Sequence, residues 1–154
     1  MDWQKDFADL FALLNRHGVE FLVIGGYALA FHGAPRYTGD IDLFIRPTTD
    51  NAEKLLLCLE EFGFRASGLV AADMLEDRKV LELGRPPVQV HVMAAISGVS
   101  WRDAWESRVP GGYGDTPLFF IGREALIINK RATGRTKDLA DIEALNPPDD
   151  RVDR

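Results

Sequence analysis

The chain has 154 residues, with 18 Lys plus Arg against 24 Asp plus Glu and a formal net charge of -6. Apolar residues make up 46% and charged residues 27%, which excludes a disordered acidic chain and a membrane-embedded one. Without a basic excess, no grip on the phosphates of duplex DNA is expected.

Trp3, Phe7, Leu10, Phe11 and Leu14 recur at helical spacing over Asp2 to His17, and Gly18 follows as a helix stop. Phe21-Leu22-Val23-Ile24 reads as a short buried strand that ends at Gly25-Gly26. The apolar run from Phe21 to Phe31 is too short to span a bilayer. The polar start, Met1-Asp2-Trp3-Gln4, is unlike a signal peptide, so a soluble cytoplasmic protein is expected. Tyr27 to Phe31 opens a helix that His32-Gly33-Ala34-Pro35 closes, and Ile41 to Ile45 is a second strand with Asp40 and Asp42 at its start. Thr49 or Asp50 can cap a helix running to about Phe62, with Gly63 beyond its end. Within it, the single cysteine, Cys58, reads as a small buried hydrophobe.

Ser67 to Asp77 is expected as loop with a short helix. Lys79 to Leu83 and Val88 to Met93 then read as a hairpin across Gly84-Arg85-Pro86-Pro87. Ser100 caps a helix from Trp101 to Ser107, and Pro117 to Ile121 is one more strand. Two closing helices, Arg123 to Ala132 and Thr136 to Leu145, part at Thr133-Gly134. On the last, Leu139, Ile142 and Leu145 are the expected buried stripe, so Lys137, Asp138 and Asp141 should face away from it. Lys137 and Asp141 then stand at ion-pair spacing. The expected class is α+β (mixed α/β), one mixed sheet of about 4–5 strands flanked by helices. Residues 147–154 read as a flexible tail.

The chemistry concentrates in two places. Asp40 and Asp42, two apart on a strand, point to one face, where converging carboxylates suit a hard divalent cation such as Mg²⁺ or Mn²⁺. A glycine pair between a strand and a helix lets backbone N–H groups approach a phosphate. Together they make a site for a metal-bound polyphosphate, although each part alone is a common turn or strand end. Near the C-terminus, Lys130, Arg135 and Lys137 cluster despite the acidic balance, which also fits a solvated, salt-bridged face.

Gly25-Gly26-Tyr27-Ala28, His32-Gly33, Arg36-Tyr37-Thr38 and Asp40-Ile41-Asp42-Leu43 resemble the polymerase-β-like nucleotidyltransferase superfamily. The likeness is greatest to small stand-alone bacterial members, including toxin-like enzymes of abortive-infection and type IV toxin–antitoxin systems. It continues through Gly84-Arg85-Pro86-Pro87, Ile96-Ser97-Gly98-Val99-Ser100 and Asn129-Lys130-Arg131-Ala132 to Gly134-Arg135-Thr136-Lys137-Asp138-Leu139-Ala140-Asp141. The resemblance implies a minimal nucleotidyltransferase fold, here residues 1–146 as one domain. It implies that Gly25 and Gly26 hold a nucleoside triphosphate and that Asp40 and Asp42 bind divalent metal. Lys130 or Lys137, with Arg135 and Arg36, would offset phosphate charge. An acceptor then attacks the α-phosphorus and pyrophosphate leaves. The acceptor is open between RNA such as a tRNA end, a protein side chain and a small hydroxylated molecule, and a cognate antitoxin is an implied partner.

Two positions depart from that pattern. Gly26 and Tyr27 stand where relatives often carry Ser or Thr, so backbone donors must serve the phosphates. His91 stands where relatives commonly carry a third metal-binding Asp. It brings nitrogen, which suits Mn²⁺ better than Mg²⁺, or serves as a base, or fills a site that has lost its second metal. Glu82 on the neighbouring strand is a substitute carboxylate. The competing function is a catalytically weak member that binds a nucleotide or protein partner. His32, Trp101, Trp105 and Tyr113 are lesser candidates for phosphate, base or acceptor contacts, with packing as their alternative.

Overall fold

The computed structural model describes residues 5–34, 39–64, 68–76, 79–85 and 87–146. The elements run α1 (Lys5–Arg16), β1 (Phe21–Ile24), α2 (Gly25–Phe31), β2 (Asp40–Ile45), α3 (Thr49–Phe62), α4 (Ala71–Met74) and β3 (Val80–Arg85). They continue with β4 (Val88–Met93), α5 (Trp101–Glu106), β5 (Val109–Tyr113), β6 (Thr116–Phe120), α6 (Arg123–Thr133) and α7 (Thr136–Leu145). One six-stranded mixed sheet has the order β3-β4-β2-β1-β6-β5. The β2–β4 and β1–β6 pairs are parallel, and the other three are antiparallel.

Alternation along the strands sorts the side chains into two layers. Ile41, Leu43 and Ile45 of β2 are fully buried on one face, and α2 packs against this strand. Phe11 stacks on Phe21 at 5.9 Å there, and Phe7, Leu10 and Leu14 complete the buried stripe of α1. Phe44 lies on the opposite face, two positions from Asp42, and meets Trp101 of α5 edge-on at 5.1 Å. The apolar layer therefore builds the scaffold, while the candidate site residues Asp40 and Asp42 lie on the face of Phe44.

Local signals act as their chemistry directs. Thr48, rather than the expected Thr49 or Asp50, caps α3 by accepting the Asn51 amide at 3.2 Å, because the helix begins at Thr49, and Gly63 ends it in the left-handed region at φ 99°. Ser100 caps α5 by accepting the Asp103 amide at 3.1 Å. Cys58 is buried, and that burial pushes its thiol up to about 12. The β3–β4 hairpin forms, with Val80 opposite Met93 and Arg85 opposite Val88.

Two expectations change. The sheet gains β5, whose Val-Pro-Gly-Gly-Tyr sequence lacks the apolar alternation of a strand. As an edge strand it tolerates Pro110, and a side chain at Gly111 would fall 2.7 Å from the Phe31 ring. The second change is α7, whose buried residues are Asp138, Asp141 and Leu145, whereas Leu139 is 52% exposed. The expected stripe is rotated, because a buried cation on α6 draws both carboxylates inward. The 147–154 segment lies outside the described residues, as does Arg36. No helix among the described residues is long and apolar enough to cross a membrane.

Candidate active site

Strand register brings four residues into one row across the sheet. Glu82 pairs with His91, His91 with Asp42, and Asp42 with Ile24, the last residue of β1. Asp40 stands one pleat further along the same face, opposite Gln89. His91 Nδ1 donates to Asp42 Oδ1 at 2.9 Å, because a carboxylate can only accept. His91 Nε2 lies 3.8 Å from Oε1 of Glu82, whose side chain is 66% exposed. The row thus runs from the solvent edge into the middle of the sheet.

At the inner end the chain turns from β1 directly into α2. Gly25 adopts φ 71°, and a Cβ there would fall 2.9 Å from Cγ of Asp42. Only glycine permits both that backbone and the close approach of the carboxylate. Gly26 follows as the second residue of α2, and no side chain caps the helix start. The glycine pair and the carboxylate pair, with thirteen residues between them in sequence, are neighbours in space.

Burial pushes the Asp42 carboxyl up from its ordinary value. The charge and hydrogen bond of His91 offset part of that push, Asp40 adds to it, and Lys130 pulls against it. Lys130 therefore belongs to the same electrostatic neighbourhood although it comes from α6. Two carboxylates on one face fit Mg²⁺ or Mn²⁺, which take one or two protein carboxylates and complete their shells with water and phosphate oxygens. Among the described residues, no group of three His, Cys, Asp or Glu side chains is set to hold a metal. With His91 Nδ1 bonded to Asp42, Nε2 is the nitrogen left for a ligand or a proton.

The C-terminal cations are arranged differently from the expected phosphate grip. Lys130 is 8% exposed and its ammonium lies 3.0 Å from Asp141 and 3.5 Å from Asp138. Asp138 also accepts from Thr133 Oγ1 at 2.7 Å, from the Arg135 amide at 3.2 Å and from Arg135 Nε at 2.7 Å. Burial opposes ionisation of Asp138, yet these bonds hold its carboxyl well below the usual range. Asp141 pairs with Lys130 rather than with Lys137, whose side chain is exposed.

The lesser candidates resolve into packing. His32 Nε2 donates to the Ile121 carbonyl at 2.7 Å. Trp105 has Trp101 stacked on it at 5.2 Å and the Arg108 guanidinium over its ring at 3.8 Å. Tyr113 is 2% exposed and contacts Phe7, Phe11 and Tyr27. A cavity of about 90 Å³ lies in the apolar layer, lined by Phe11, Val23, Tyr27, Ile41 and Tyr113 among others, away from the carboxylates.

Solved structures share this fold. Similar chains include the lincomycin-bound lincosamide antibiotic adenylyltransferase LnuA, with 16% identity, TM-score 0.58, and coverage of 94% of this chain and 96% of that one. Another is ANT(2'')-Ia in complex with adenylyl-2''-tobramycin, with 14% identity, TM-score 0.61, and coverage of 96% and 90%. A third is an antigenic nucleotidyltransferase-like protein from Paracoccidioides brasiliensis, with 18% identity, TM-score 0.57, and coverage of 93% and 75%. None of the curated proteins matches this chain.

These likenesses define a nucleotidyltransferase fold. The family described as "Nucleotidyl transferase AbiEii toxin, Type IV TA system" matches residues 8–109, more than half of the chain, and the protein belongs to that family.

Proposed function

We propose that the protein transfers a nucleoside monophosphate from an NTP to a hydroxyl-bearing acceptor, using a divalent cation held by Asp40 and Asp42. The observation that carries this reading is the Asp42 carboxylate, fixed against the Gly25 turn on one side and bonded to His91 on the other at 2.9 Å. Membership of the nucleotidyl transferase family supports the donor and a divalent metal in general.

In this reading the cation, when bound, offsets charge on the triphosphate. Gly25 and Gly26 present backbone N–H groups to the phosphates. Asp42, oriented by His91, keeps one carboxylate oxygen for the ligand. The acceptor oxygen bonds to the α-phosphorus, the bond to the bridging oxygen breaks, and pyrophosphate leaves with both its electrons. His91 Nε2 takes the acceptor proton. Its Nδ1–H bond to Asp42 fixes the tautomer that this needs.

The acceptor classes are weighed by chemistry. A net charge of -6 disfavours a large RNA footprint. Fold neighbours whose names include lincomycin and tobramycin support a small hydroxylated molecule. The family description supports action as a toxin beside a cognate antitoxin.

A second reading is a nucleotide- or protein-binding component with weak catalysis. It is favoured by His91 in the row where a further carboxylate would complete a metal cage. Incubation with α-labelled and γ-labelled NTP over candidate acceptors separates the readings. Label transfer from the α position with pyrophosphate release, lost in Asp42→Asn, supports the transferase. Transfer of the γ label would instead indicate a phosphotransferase, and transfer of neither label would favour the binding component.

A further inference from the structure

The cavity in the apolar layer has walls that reach the candidate site from behind. Ile41 lines it and stands between Asp40 and Asp42 in the chain, with its side chain on the opposite face of β2. Val23 and Tyr27 line it too, two residues before and two residues after Gly25. The Tyr27 ring is buried in this layer, 5.6 Å from that of Tyr113. The outer wall is Phe31, 43% exposed and stacked on Phe120 at 4.2 Å. Ala30 and Gly112 also line the space and are partly exposed, so with Phe31 they frame a mouth to solvent.

Protein interiors pack as densely as organic crystals and leave few voids larger than a water molecule. Wall atoms that face a void lose their dispersion partners. Here the space is about 90 Å³, and among its described lining residues only Tyr27 and Tyr113 carry a polar side-chain atom. Water needs several polar partners to settle in a cavity, whereas an apolar space of about 150 Å³ accepts benzene or xenon. The smaller space here fits a branched alkyl group or one small ring. Such a guest gives Val23, Tyr27 and Ile41 the contacts that they lack. These residues flank Gly25 and the two aspartates, where a Cβ on Gly25 would fall 2.9 Å from Cγ of Asp42. A displaced turn would carry Val23 and Tyr27 away from the guest, so the guest favours the turn as it stands.

We propose that this cavity binds a compact, uncharged apolar molecule, and that its occupant strengthens NTP binding across β2 by holding Ile41 and the Gly25 turn in place. The coupling rests on the reading of Asp40 and Asp42 as an NTP site, whereas the cavity site stands without it. The link is reciprocal: NTP tightens the hold on the apolar guest by the same factor.

The test uses xenon, which enters apolar cavities without needing a hydrogen bond. Xenon magnetic resonance with the full chain is expected to show saturable uptake by wild type. Ala30→Leu, whose longer side chain fills the mouth, should take up none. NTP is then titrated calorimetrically with Mn²⁺, in buffer with and without dissolved xenon. Wild type should bind NTP about fivefold more tightly with xenon, the lower end of the usual coupling between two sites. Ala30→Leu should bind NTP equally in both buffers. No saturable uptake by wild type, an NTP affinity indifferent to xenon, or an equal xenon response in Ala30→Leu would overturn the proposal. The wild-type measurements need no variant, so they decide the matter even if Ala30→Leu does not fold. A wild type that takes up xenon and binds NTP in neither buffer would contradict the nucleotide reading, and the coupling with it, while upholding the cavity site.

Discussion

His91 donates its Nδ1 proton to Asp42 at 2.9 Å across a parallel strand pair in which the two residues are direct partners. The imidazole thereby occupies one oxygen of the most buried carboxylate in the row. It also supplies nitrogen where an oxygen ligand would favour Mg²⁺.

His91→Asp should therefore raise NTP affinity in Mg²⁺ relative to Mn²⁺, by roughly threefold to tenfold given the preference of Mg²⁺ for oxygen. The metal-free variant should be less stable than wild type, because like carboxylates then face each other. Titration of NTP in each metal gives the ratio. An unchanged ratio would place residue 91 away from the cation.

Gly25→Ala tests the turn. Both Gly25 and Gly18 have positive φ, at 71° and 72°, but a Cβ at Gly18 meets nothing within 4 Å. Gly18→Ala should cost only the backbone penalty, about 1–2 kcal/mol. Gly25→Ala should cost more and remove NTP binding, since the new methyl displaces the Asp42 carboxylate. Denaturant midpoints of the two variants decide this, and equal losses with NTP binding intact would contradict it.

Much of this arrangement is legible in the sequence. Asp40 and Asp42 share a face because strands alternate, and Ser100 and Gly63 bound their helices as expected, whereas the cap of α3 falls on Thr48, one residue before the expected Thr49 or Asp50. The resemblance places His91 at the metal site, but its direct bond to Asp42 is not legible, because register between residues 49 positions apart depends on the whole sheet. Strand β5 is hidden by Pro110, Gly111 and Gly112, which an edge strand accepts and alternation rules reject. The rotation of α7 is hidden for a third reason. Apolar spacing favours Leu139, yet a cation buried on α6 outweighs one leucine and turns Asp138 and Asp141 inward.

That rotation predicts an acid limb. The Asp138 carboxyl lies well below its ordinary value of 3.8, so the unfolded chain takes up the proton first. Its contribution is then complete above about pH 4 and is lost as pH falls below that, towards the folded value. Asp138→Asn should be less stable than wild type at pH 7 and lose less further stability between pH 4 and pH 2, ranges set by that linkage. Urea midpoints across pH give the comparison, and parallel curves for the two proteins would contradict it.

The central claim is that Asp42 anchors a metal-dependent nucleotide site, and one titration addresses it directly. NTP is titrated calorimetrically into wild type and Asp42→Ala, each with Mg²⁺, with Mn²⁺ and with no metal. The account predicts binding by wild type only when a divalent cation is present, and its loss in Asp42→Ala at unchanged fold. Metal-dependent binding that survives in Asp42→Ala, or wild-type binding indifferent to metal, would contradict it.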